Sequence, residues 1–168
     1  MKSLVTRPAA LAAGRVYTLH PGNVVCAERG DRLETLLGSC VSLLLTDPRR
    51  TVAAMCHVVH ARPAPAGDAQ NTAHGDAALA QLAALLRARG IEPRLCEAWV
   101  FGGGNMFPRF AGATPAEGHV GAANAAWAMR HVQDLAPRVL GTDLGGNVYR
   151  KIVWTVDHGQ PTVTAVPT

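Results

Sequence analysis

Apolar residues fall in short runs broken by turn residues, and the spacing inside each run predicts its element. Residues 23–27 (NVVCA) form a short apolar segment that predicts a strand. Arg29-Gly30-Asp31 reads as a turn, residues 33–37 resume an extended apolar pattern, and Gly38-Ser39 breaks it. Residues 40–46 (CVSLLLT) and 51–59 (TVAAMCHVV) are continuous enough to predict two buried strands. The intervening Asp47-Pro48-Arg49-Arg50 makes the pair a hairpin. Residues 62–67 (RPAPAG) read as loop.

Residues 76–89 (DAALAQLAALLRAR) switch to helical spacing, with Leu79, Leu82, Leu85 and Leu86 on one side. Asp76 favours the start of that helix and Gly90 its end. Residues 95–101 predict a strand running into Gly102-Gly103-Gly104, and residues 121–135 a second amphipathic helix stopped by Pro137. A short extended segment at 138–141 follows, then a turn at 143–146. Residues 148–156 and 162–166 close the chain as a hairpin around His158-Gly159. No repeat or linker divides the 168 residues, so one domain is expected, with residues 1–14 as a flexible tail. Strands outnumber helices, which predicts α+β or a layered α/β/α sandwich.

Composition narrows the class. At 48% hydrophobic and 17% charged the chain is globular, and no apolar run approaches the roughly 20 residues of a membrane-spanning helix. The apolar stretch at 8–13 is too short for a secretory signal, so a cytoplasmic protein is expected. The net charge of +4 comes from scattered arginines without interleaved aromatics, which argues against nucleic acid and leaves an acidic protein partner open. Cys26, Cys40, Cys56 and Cys96 form no CxxC pair, so neither a disulfide framework nor structural zinc is expected, and no cofactor is called for.

Chemistry concentrates at Leu37-Gly38-Ser39-Cys40-Val41, where a Gly-Ser turn delivers a thiol at the head of a buried strand. Backbone N–H groups around Ser39-Cys40 are candidates for stabilising a thiolate or an oxyanion. A cysteine nucleophile needs a base, and His57 lies on the next strand. Residues equidistant from the hairpin turn face each other, and Cys40 and His57 each lie seven residues from it, so the register predicts them opposite one another. Such pairing is expected to lower the Cys40 pKa. Cys56 points away from His57, and Cys26, Cys56 and Cys96 read as core. The glycines at 102–104 would let a backbone pass very close to a neighbour. No Lys-Ser/Thr follows them, which excludes a P-loop.

Together LGSCV, AAMCHVV, HGDAAL, VFGGGNMF, VGAAN and DLGGNVYRKI occur in an order and spacing that resembles the chemoreceptor glutamine deamidase family, CheD, over roughly residues 24–156. The resemblance implies a three-layer α/β/α fold similar to the catalytic domain of cytotoxic-necrotizing-factor toxins. It implies hydrolysis of receptor glutamine side chains to glutamate, with chemoreceptors as substrates and a CheC-type phosphatase as partner. A non-catalytic adaptor of the same fold, binding receptors or that phosphatase, is the alternative. Carried over, the nucleophile falls on Cys40, the base on His57, and a third member on Thr35 or the neighbouring Glu34, with Thr35 chosen. Ser39, Gly103, Gly104 and Asn105 would border the substrate. Tyr149 departs from the family pattern, standing where a glycine is usual.

Overall fold

A computed structural model describes residues 14–106 and 120–167. Most of the expected tail, and Phe107 of the glycine-rich motif, lie outside the described residues. The chain is mixed α/β, with nine strands in two sheets and two helices among the described residues. The strands are β1 (Val16–Leu19), β2 (Val24–Glu28), β3 (Arg32–Leu37), β4 (Val41–Thr46), β5 (Val52–Cys56), β6 (Glu97–Gly102), β7 (Arg138–Leu144), β8 (Tyr149–Thr155) and β9 (Thr162–Val166). The helices are α1 (Gly75–Ala88) and α2 (Val120–Leu135). One sheet runs β1-β3-β8-β9 and the other β2-β5-β4-β6-β7.

Every residue of β4, β5 and β6 is buried, because the five-stranded sheet is covered on both faces. On one face Val41, Leu43, Leu45, Cys56 and Val58 pack with Ala78, Leu82 and Leu86 of α1 and Trp127, Ala128 and Val132 of α2. On the other, Leu44, Met55, Trp99 and Phe101 meet Leu33, Leu37, Ile152 and Trp154 of the four-stranded sheet. Strand β3 alternates buried and open positions, because the outer face of its sheet has no covering layer among the described residues. The expected helix–sheet–helix order is therefore corrected to helix–sheet–sheet. Both helices lie on the same sheet, and apolar side chains of β3 and β8 fill the place expected of a helix.

The β4–β5 hairpin forms with a register two residues from the expected one. Leu44, Leu45 and Thr46 pair with Met55, Ala54 and Ala53. The Asp47 carboxylate is the cause. Its Oδ1 accepts the backbone N–H of Thr51 at 2.8 Å and of Val52 at 3.0 Å, which lengthens the turn on the β5 side. Beyond the regular pairing, Val41 and Val58 exchange backbone hydrogen bonds of 3.1 and 2.8 Å. Strand β1, which the apolar pattern did not single out, pairs in parallel with β3, bringing Leu19 level with Thr35.

Candidate active site

Cys40 and His57 each stand one residue before the paired Val41 and Val58. Val41 and Val58 face the helices, so Cys40 and His57 face the other sheet. In the shifted register the two are diagonal cross-strand neighbours on one face, not directly opposed residues. Thr35 comes from that other sheet, inward-facing between Leu33 and Leu37, and its Oγ1 lies 2.8 Å from Nδ1 of His57. Both groups are nearly closed to solvent, at 3% and 2% exposure.

The tautomer of His57 follows from the third atom of this cluster. Thr35 Oγ1 also donates to the Leu19 carbonyl at 2.8 Å. A hydroxyl carries a single proton, so both contacts are hydrogen bonds only if Nδ1–H of His57 donates to Thr35. Nε2 is then left with its lone pair. Burial lowers the His57 pKa, the Leu19 carbonyl pulls the other way, and His20 adds to the lowering, so the ring is held neutral. Glu34, the alternative third member, faces the opposite way. Its carboxylate accepts from Thr18 Oγ1 at 3.0 Å and Arg32 Nε at 3.2 Å on the open face of the sheet.

The thiols divide by environment. Cys56 and Cys96 are fully buried against the helices and are pushed up to about 12, Cys56 by burial and Cys96 by burial together with Asp47, Glu92 and Glu97. Cys26 is half-buried and raised by burial, with Arg89 opposing. Cys40 is half-buried at the sheet end. Burial pushes its thiol up, and its own backbone N–H partly offsets this. The expected lowering by His57 is thus corrected: burial dominates and holds the Cys40 thiol above its ordinary range.

The Gly-Ser-Cys turn is clamped from two sides. Gly103 N–H donates to the Cys40 carbonyl at 2.8 Å and Gly104 N–H to the Gly38 carbonyl at 2.9 Å. Gly102 has φ of +109°, and a Cβ there would collide with the Cys40 carbonyl oxygen. The close neighbour of the glycine run is the Cys40 loop itself. Asn105 N–H donates to the Gly146 carbonyl at 2.7 Å, and the buried Arg150 holds that turn through Asp143 at 2.7 Å and the Gly145 carbonyl. Tyr149 and Met106 lie over Gly38, where a Cβ would meet them at 3.0 and 3.1 Å.

From the helix side, Asn124 of α2 is 2% exposed and uses its whole amide. Nδ2 donates to the carbonyls of Ser39 at 3.0 Å and Val59 at 3.1 Å, while Oδ1 accepts the Ala61 N–H at 3.1 Å. This residue ties the loop before Cys40 to the chain after His57. Sequence reasoning quoted it within VGAAN but assigned it no role. Its signal was an asparagine in the middle of an amphipathic helix, where that residue is a poor helix former. The Leu19 carbonyl was missed because a backbone oxygen leaves no mark in sequence.

A family model described as CheD chemotactic sensory transduction matches residues 61–165. Three curated relatives are each 30% identical or more over most of both chains. "Probable chemoreceptor glutamine deamidase CheD 1" of Chromobacterium violaceum is 32% identical over 153 residues, 90% of this chain and 78% of that one. "Probable chemoreceptor glutamine deamidase CheD 2" of Albidiferax ferrireducens is 34% identical over 148 residues, 84% and 82% of the two chains. "Probable chemoreceptor glutamine deamidase CheD" of Pseudomonas fluorescens is 30% identical over 149 residues, 89% and 84%.

This chain belongs to the CheD family.

The match to the CheD family model begins after His57, so Thr35, Cys40 and His57 lie outside it. Among solved structures, a Neisseria meningitidis protein of the DUF152 family aligns at a TM-score of 0.40 and 14% identity, over 79% of this CheD-family chain and 64% of its own. A likeness at that level carries no argument about fold or function. Among the described residues no helix is long and apolar enough to cross a membrane, and no three His, Cys, Asp or Glu side chains are grouped to hold a metal.

Proposed function

We propose that this chain is a cysteine-dependent amidohydrolase that converts glutamine side chains of chemoreceptors to glutamate, with Cys40 as nucleophile, His57 as general base and Thr35 as the residue that orients it. The observation that carries the reading is the Leu19–Thr35–His57 relay, which leaves Nε2 of a neutral imidazole as the free base on the face shared with Cys40.

Nε2 of His57 takes the thiol proton as Cys40 sulfur attacks the carboxamide carbon. The carbonyl π pair moves to oxygen, and the Cys40 backbone N–H, already directed at the sulfur, is the first candidate to stabilise that oxyanion. The C–N bond then breaks, and the proton held by His57 leaves with ammonia. A thioester remains. Water, deprotonated by His57, adds to the thioester, and the thiol is expelled and reprotonated. The product is glutamate, and the chemistry calls for no metal or organic cofactor.

Ser39 and Asn105 border the substrate in this reading, while Gly103 and Gly104 act by holding the Cys40 loop. The unit is a single catalytic domain working in the cytoplasm, with a CheC-type phosphatase as partner. Mass spectrometry of a chemoreceptor co-expressed with the protein tests the reading, since each deamidation adds about one dalton. Gains at defined glutamines that disappear with Cys40→Ala support it. A receptor left unchanged by the wild type, though still bound, would leave the adaptor reading in its place.

A further inference from the structure

Beside the Cys40 loop, on the helix side, runs an open groove of about 690 Å³. One wall is α2, through Val120, Ala123, Asn124, Trp127 and Arg130, and the other is the segment from Val59 to Arg62. Ser39 and Asn124 line it where it adjoins the Cys40 loop. From Val120 to Arg130 the helical wall is about 15 Å long at 1.5 Å per residue. Its floor is apolar, and among the described residues no Asp or Glu lines it. Arg62 and Arg130 are both exposed, and neither has an acidic partner among the described ion pairs.

Most other arginines of the described chain are paired, so two cations with no acidic partner among the described residues, on the rims of one apolar groove, set it apart. We propose that this groove is an exosite for an acidic, amphipathic segment of the protein substrate, whose apolar side lies over the exposed Val120 and Ala123 and whose carboxylates pair with Arg62 and Arg130. The proposal deepens the deamidase reading and rests on it for the identity of the occupant as substrate. Two cations on an apolar floor suit carboxylates spaced along a helix or strand better than a phosphate backbone, which calls for a basic stripe.

Binding is measured on the full chain carrying Cys40→Ala, so that turnover plays no part. The probe is a fluorescein-labelled amphipathic helical peptide with a glutamate-rich polar face, followed by anisotropy. The peptide should bind, and rising salt should weaken it. Arg62→Glu with Arg130→Glu should weaken binding by about tenfold or more, since two surface attractions become repulsions. Arg62→Lys with Arg130→Lys, which keeps both charges, should retain most of the affinity. No binding, unchanged affinity in the double Glu variant, or tighter binding of a lysine-rich peptide or duplex DNA would overturn the exosite. If the peptide binds as expected but wild-type protein releases no ammonia from receptors, the groove stands and the deamidase reading falls.

Discussion

Thr35 on one sheet and His57 at the edge of the other are joined by a 2.8 Å hydrogen bond that bridges the two layers of the fold. With the Thr35 proton directed to the Leu19 carbonyl, the bond runs from Nδ1–H of His57 to Thr35, which leaves the lone pair on Nε2.

Thr35→Val keeps the shape of the side chain but leaves the buried Nδ1–H of His57 and the Leu19 carbonyl without this partner. An unmet buried group costs roughly 1–3 kcal/mol, and about 1.4 kcal/mol corresponds to tenfold in rate. The deamidation rate should fall by about tenfold or more, while Thr35→Ser recovers most of it. Glu34→Gln, on the open face, should leave the rate nearly unchanged. A damaging Glu34→Gln beside a harmless Thr35→Val, measured on the same receptor, would reverse the assignment.

Cys40→Ala should abolish ammonia release with little change in melting temperature, because the site is half-buried and the removed volume small. Cys26→Ala should stay active. Cys56→Ala and Cys96→Ala should also stay active but lose stability, by about 1 kcal/mol for each small cavity. Retention of most of the wild-type rate by Cys40→Ala would remove the nucleophile from the scheme.

The pH profile has a definite sign. Only neutral His57 can take the Cys40 proton, and burial holds its pKa below the ordinary 6.5, so kcat/KM should be level through neutral pH and decline on an acid limb centred below 6.5. The thiol is raised, so alkylation of Cys40 should depend on His57 at neutral pH and become less dependent as the thiol ionises at alkaline pH. Peptide mapping after iodoacetamide treatment should find Cys40 labelled ahead of Cys56 and Cys96, and slower in His57→Ala. An acid limb well above pH 6.5 would contradict a buried, neutral base.

Asn124→Asp replaces a two-proton donor by a carboxylate facing the carbonyls of Ser39 and Val59. Repulsion there should loosen the Cys40 loop, lowering kcat more than it raises KM and reducing the melting temperature. Asn124→Ala should behave similarly, because it removes the partner of three part-buried backbone groups. Full kcat in either variant would confine Asn124 to a role outside the loop.

Much was legible in the pattern of residues. The Leu-rich period of α1, the buried runs of β4 and β5, the turn at Asp47 and the closing hairpin all follow from local spacing, because strands and helices bury side chains with different periods. So does the separation of Cys56 from His57, a consequence of alternation along a strand. The family resemblance was carried by short motifs, and it pointed to Cys40, His57 and a third member at Thr35 or Glu34. The amino-acid order alone could not say which of Thr35 and Glu34 meets His57, since neighbours on a strand differ only in the face they present, and that face depends on which side of β3 is covered. Nor could it supply the hairpin register, which the Asp47 carboxylate shifts by accepting two backbone N–H groups. The Leu19 carbonyl, the Asn124 clamp and the stacking of both helices on one sheet were likewise decided by tertiary structure, because each joins residues distant in the chain through contacts that no local pattern encodes.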